Sequence, residues 1–303
     1  MNATQIPTTQ TCPAGVVDFV PDPELYPFES NWFESSVGAV HYLDEGEGQV
    51  LWLMHGNPDW SYLYRQMIPE LSKHFRCIVP DLVGFGLSTH PDPQRFGAMP
   101  EDQSAVMREL VEHLDLSDMI LMGQDWGGPI GMDIASHMPD RIAGLVMGNT
   151  WFWPSDIFRM KTFSRLSGTR LMQRLILRRN IFVTQAMKRS VQVPMTDADL
   201  RHYADVLPSP AHRRGVAVLP TAIRSAKPWL ADLERRVATT LREKPLLFFF
   251  GEKDPVLGRP QFLSRWRKEF PAAQVVHLPG AGHFIQHDAP DEIVAAIIDA
   301  YAT

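Results

Sequence analysis

Along the chain, short apolar runs alternate with longer stretches whose apolar residues recur at helical spacing. V-L-W-L-M (50–54), R-C-I-V-P (76–80), the runs at 118–122 and 142–148, P-L-L-F-F-F (245–250) and 274–278 are of strand length. Continuous apolar runs suit strands covered on both faces in a parallel sheet. Helices are predicted between the first two runs, near 103–114, 128–137 and 260–269, and from Pro290 onward. The alternation predicts an α/β fold with a doubly wound, mostly parallel sheet. Ahead of it, W-F-E-S-S-V-G-A-V-H-Y-L-D-E-G (32–46) predicts a hairpin with Gly38 in its turn. Residues 1–30, with Pro13, Pro21, Pro23 and Pro27, read as an extended arm.

The rhythm breaks over 154–230, which is helical and loop-like with no convincing buried strand. This segment holds 14 Lys and Arg against 4 Asp and Glu, a net charge of +10. The remainder then carries about −16 in a chain whose net charge is −6. An inserted helical lid over 154–230 is expected, on a core of 31–153 and 231–303. So large a charge split leaves two readings open: two independently solvated surfaces, or self-association, basic lid against acidic body, into a homo-oligomer.

Bulk composition narrows the function classes. At 303 residues and 45% hydrophobic, the chain can bury one large core and still carry an insertion. Negative net charge argues against a nucleic-acid binder. Cys12 and Cys77 stand far apart in no metal-ligand spacing, so neither a disulfide framework nor a metal site is expected. There is no apolar leader and no membrane-length apolar run, so the expectation is a cytoplasmic enzyme with no membrane partner and no cofactor.

Open α/β sheets bind ligands beyond the carboxyl ends of their strands. H-G-N-P (55–58), G-Q-D-W-G-G (123–128), G-E-K-D (251–254) and G-A-G-H-F-I-Q (280–286) all fall there. Strand, Gly-rich turn and helix at 118–137 form a nucleophile elbow, and the residue it lifts is Asp125 in place of a serine. The order nucleophile, acid, histidine is that of α/β-hydrolases, giving Asp125, Asp254 and His283. Singly each motif has a bland reading: a capping Asp, an Asx turn at Asp254, a satisfied loop histidine at His283. His41, His55 and His277 are read as structural.

An aspartate suits an electrophilic saturated carbon. Serine would form an ether that water does not hydrolyse, whereas a carboxylate forms an ester that it does. His283 then activates water rather than the nucleophile, and Asp254 fixes its tautomer. Backbone N–H groups of Asn57 and Trp126 are expected to form the oxyanion hole. The indole N–H of Trp126 and the side-chain amide of Asn57 are neutral donors suited to a departing halide. Packing of the elbow and a turn before Pro58 are their structural alternatives.

These motifs, with P-D-L-V-G-F-G-L-S (80–88) and the extended G-A-G-H-F-I-Q-H-D-A-P (280–290), resemble the haloalkane dehalogenase family over nearly the whole chain. P-D-P-E-L-Y-P-F-E-S (21–30) and N-T-W-F-W-P (149–154) look most like actinobacterial members of its third subfamily. The resemblance implies an α/β-hydrolase fold, Asp125 as nucleophile, His283 as base, and Asn57 with Trp126 as the halide pair. It implies halogenated hydrocarbon, halide and water as partners, and third-subfamily members tend to form oligomers. Some members take their acid from the end of the sixth strand, but residues 147–151 are M-G-N-T-W, which favours Asp254, with Glu252 second. Others use a further halide-binding Trp, a place open to Trp151, Trp153 or Trp229.

Competing readings remain. An epoxide hydrolase shares the Asp elbow but needs paired lid tyrosines, and only Tyr203 lies in the lid. A fluoroacetate dehalogenase would carry Arg where Trp126 stands. A ligand-sensing protein on the same scaffold need not keep all three of Asp125, His283 and Asp254.

Overall fold

The structure, a computed structural model, describes residues 13–302. Eight strands form one sheet in the order β1-β2-β4-β3-β5-β6-β7-β8. β1 (Asn31–Ser35) and β2 (Gly38–Glu45) make the expected antiparallel hairpin, with Gly38 at φ +133° just past its two-residue turn. β2 joins β4 (Arg76–Pro80) antiparallel. From there β3 (Val50–Met54), β5 (Met119–Asp125), β6 (Ile142–Thr150), β7 (Leu246–Gly251) and β8 (Gln274–Leu278) pair in parallel. The chain runs from β3 outward to β4 and then back across β3 to β5, so the sheet's switch point lies between β3 and β5. Every residue of β3 and β5 is buried, as the continuous apolar runs require.

Helices Pro100–His113, Gly127–His137, Pro260–Glu269 and Pro290–Tyr301 flank the sheet where the periodicity places them. Between β6 and β7 lie the lid elements, including Phe158–Ser167, Arg170–Arg179, a π-helical turn at Phe182–Met187, Asp197–Asp205 and Arg214–Ser225. The boundary expected at 230 falls inside the next helix, Lys227–Thr240. That helix packs on Gly127–His137: Arg236 and Arg108 both pair with the buried carboxylate of Asp133. Apolar spacing alone does not show this contact.

The arm expected over 1–30 lies outside the described residues as far as 12. Its remainder is tied down by Tyr26, whose hydroxyl is 2.5 Å from Ser61 Oγ, and by Asp22, whose N–H donates to His202 Nε2 in the lid at 3.0 Å. Cys77 is buried and unbridged, and Cys12 lies outside the described residues. Among the described residues no helix is long and apolar enough to cross a membrane.

Candidate active site

Asp125 ends β5 with φ +48°, a strained left-handed conformation that lifts its side chain out of the sheet. Two glycines make room for the turn. A Cβ on Gly127 would strike the Met54 carbonyl, and one on Gly128 the Thr150 side chain. Thr150 Oγ1 also donates to the Asp125 carbonyl at 2.6 Å.

The β3–β5 pairing brings the loop after β3 beside this turn. Asn57 N–H donates to Asp125 Oδ2 at 2.9 Å. The Trp126 N–H also bonds the Asp125 carboxylate. Burial pushes the Asp125 carboxyl upward, while His283 and these two N–H groups pull it back. The other carboxylate oxygen, Oδ1, lies 3.8 Å from His283 Nε2.

His283 Nδ1 is 2.7 Å from Asp254 Oδ2. Asp254 is in turn held through Oδ1 by the N–H groups of Val256 (2.7 Å) and Leu257 (2.9 Å). Burial opposes an imidazolium at His283, but the carboxylates of Asp254, Asp125 and Asp59 outweigh it and raise its pKa to about 9. The expected acid is therefore the one beside the histidine. Glu252 instead contacts His277 near the surface, 2.9 Å away.

His41, His55 and His277 do not line the cavity that His283 lines. His55 Nδ1 bonds the Gly56 carbonyl at 2.8 Å and its Nε2 accepts the Leu82 N–H at 2.9 Å, which ties the Asn57 loop to the loop after β4. His41 contacts Asp81 at 2.9 Å, and Asp81 also takes the N–H groups of Ser61 and Leu87.

Two positioning residues escaped the motif reading. Asn149, next to last in β6 at φ +37°, accepts the Gly251 N–H and donates to the carbonyls of Gly251 and Gly282 and to Asp254 Oδ2. It links the ends of β6 and β7 to the His283 loop at the place where some family members carry an acid. Gln124 donates to the His283 carbonyl at 2.9 Å. The only sequence signal for either is its place at a strand end.

Asp125, Trp126, Asn57, Asp254 and His283 all line one cavity of about 150 Å³. The segment between β6 and β7 supplies another part of its wall, including Phe163, Phe182, Met187, Pro220 and Ile223, and Pro58, Val256, Leu257 and Phe284 close it from the loops beyond the strands. Of the three further tryptophans, Trp151 reaches it, edge-on to Trp126 with ring centres 5.0 Å apart. The Trp151 indole N–H is nevertheless buried without a partner. Trp153 packs on Trp266 and Arg265 instead, and neither it nor Trp229 lines the cavity. Tyr203 is fully buried against Tyr62, away from the cavity. Among the described residues no group of three or more His, Cys, Asp or Glu is arranged to hold a metal ion.

Residues 49–290 match the α/β hydrolase fold family. Haloalkane dehalogenase 2 of Mycobacterium tuberculosis H37Rv is 48% identical over 285 residues, covering 94% of this chain and 99% of that protein. The chain belongs to the haloalkane dehalogenase family. Another relative is the haloalkane dehalogenase of Mycolicibacterium paratuberculosis, 32% identical over 91% of this chain and 93% of its own. A cis-3-alkyl-4-alkyloxetan-2-one decarboxylase of Shewanella oneidensis is 30% identical over 90% of this chain and 88% of its own. Among solved structures, the haloalkane dehalogenase of Agrobacterium tumefaciens C58 aligns with a TM-score of 0.79 at 23% identity, over 92% of this chain and 98% of that one. It shares the fold. The 48% relative places this dehalogenase-family chain beside mycobacterial, hence actinobacterial, proteins.

Proposed function

We propose that the chain hydrolyses haloalkanes to alcohol, halide and proton through an ester on Asp125. The observation that carries this reading is the division of labour within the Asp125 carboxylate. Oδ2 accepts the Asn57 N–H, and Oδ1 is the oxygen near His283 Nε2. Oδ1 attacks the carbon bearing the halogen, the carbon–halogen bond breaks, and the halide leaves between the Trp126 indole and the Asn57 amide. Water then attacks the ester carbonyl and gives its proton to His283 Nε2. The oxyanion formed on Oδ2 stays on the N–H groups of Asn57 and Trp126. Collapse of this intermediate frees the alcohol and restores the carboxylate, and His283 releases its proton. The sum is R–X plus water to R–OH, H⁺ and X⁻.

The epoxide reading lacks its acid, because Tyr203 does not line the cavity. The Shewanella relative supports a second reading, in which a dialkyl oxetan-2-one loses CO₂ to leave an alkene.

The test supplies a bromoalkane, an epoxide and a dialkyl oxetan-2-one in parallel. Bromide and alcohol in equal amounts are expected. His283→Gln should gain one alkyl group by intact mass, mapped to the Asp125 peptide. Bromide-free turnover of either other substrate by an otherwise inactive protein would overturn the reading.

A further inference from the structure

We propose that the outward face of the lid helices Phe158–Ser167 and Arg170–Arg179 docks on an anionic phospholipid bilayer. The expectation of no membrane partner rested on the lack of a spanning segment, and a surface contact needs none. Of the six large apolar side chains that stand exposed among the described residues, four belong to these two helices. Phe158 is 80% exposed, Leu171 69%, Leu166 55% and Phe163 41%. The inward faces are already in use: Met160, Ser164 and Ser167 of the first helix and Ile176 of the second are buried. Phe163 turns partly inward, edge-on to Phe182 at the cavity, so Phe158, Leu166 and Leu171 are the apolar residues left facing outward.

That face is also basic. Arg159, Arg165, Arg170, Arg174 and Arg178 are all exposed on it. The nearby acid Asp156 is engaged elsewhere, by Lys161 and Lys227. On the second helix, 100° per residue puts Arg170, Leu171, Arg174 and Arg178 within one arc of the surface. Such interleaving fits a headgroup layer, in which apolar side chains reach the acyl boundary and arginines reach phosphates. The rest of the chain carries about −16. An anionic surface therefore repels the body and attracts the lid, and the molecule approaches lid first.

Charge alone also fits the acidic body of a second copy, as the sequence suggests. An acidic protein surface matches the arginines but leaves Phe158 and Leu171 facing carboxylates. A bilayer offers both negative charge and an apolar layer. Met160 and Phe163 of the first helix also line the catalytic cavity, so the docking face is the outer side of its wall. An apolar substrate, on the functional reading above, would be most concentrated on that side.

Flotation of the full chain with vesicles tests this without any turnover. Binding is expected to vesicles containing phosphatidylglycerol, weakly or not at all to phosphatidylcholine alone, and to fall as salt rises. Each arginine lost should cost about fivefold in partitioning, equivalent to about 1 kcal/mol per cation at an anionic surface. Arg170→Gln, Arg174→Gln and Arg178→Gln together should then cost about a hundredfold. Phe158→Ser with Leu171→Ser should also weaken binding, with thermal melting and turnover of a water-soluble bromoalkane unchanged. Wild-type protein that ignores anionic vesicles at low salt overturns the proposal. So does equal binding by the arginine variant. If light scattering shows that the same substitutions dissolve an oligomer and wild-type vesicle binding is absent, the face belongs to a second copy.

Discussion

Nδ1 of His283 lies 2.7 Å from Asp254 Oδ2, while Glu252 in the same loop faces His277 instead. Asp254→Asn should therefore strip His283 of the partner that sets its tautomer. The loss of hydrolysis is expected to be on the order of 10⁴, the scale seen when a triad histidine loses its carboxylate. Glu252→Gln should change it little. Single-turnover assays that follow alkylation and hydrolysis separately check this, and only the second step should suffer. A reversed ranking of the two variants refutes the assignment.

The halide pair proposed above makes a second prediction. If Trp126 and Asn57 donate to the departing halide, Trp126→Phe and Asn57→Ala should each slow halide release by about 10²–10³. Trp151→Phe should cost far less, because its indole N–H is shielded from the cavity it borders. Bromide quenching of indole fluorescence, measured in all three variants, separates donors from packing. Quenching that disappears only with Trp151 would move the halide site.

Asn149 makes the third. It bonds Gly251, Gly282 and Asp254 from one buried side chain. Asn149→Ala leaves several of these groups unpartnered, at roughly 1–3 kcal/mol each. It also puts alanine at φ +37°, where asparagine is better tolerated. A lower Tm and slowed hydrolysis are expected together, with alkylation much less affected. Unchanged melting would show that this bracing is dispensable.

The fourth concerns pH. His283 is raised from 6.5 to about 9 by carboxylates that overcome its burial. A raised folded-state value contributes stability that is complete below 6.5 and lost as pH climbs through about 9. The Tm advantage of the wild type over His283→Gln should shrink across that window. Esterification of Asp125 removes a negative charge 3.8 Å from Nε2, which lowers the pKa of the imidazole just when it must accept a proton. Hydrolysis of the alkyl-enzyme should therefore rise with pH through an apparent pKa below about 9. A limb at or above that value in single-turnover pH profiles counts against this coupling.

By itself, the sequence determined the strands, the elbow and the candidate residues, because these are local. A buried parallel strand must be apolar at every position, as β3 and β5 are, and a tight turn beside packed backbone must be glycine, as at Gly127 and Gly128. Strand-end motifs fell at one edge of the sheet for the same reason. Tertiary structure alone decided what depends on distance across the chain. It set Asp254 rather than Glu252 beside His283, brought Trp151 but not Trp153 to the cavity, and paired Arg236 of Lys227–Thr240 with Asp133 of Gly127–His137. It also gave Asn149 its role, since one amide spanning the β7 turn and the His283 loop leaves no periodic trace. Likewise, the count of +10 over 154–230 held no information on which lid side chains face outward; packing of Met160 and Ile176 inward left Phe158 and Leu171 exposed among the arginines.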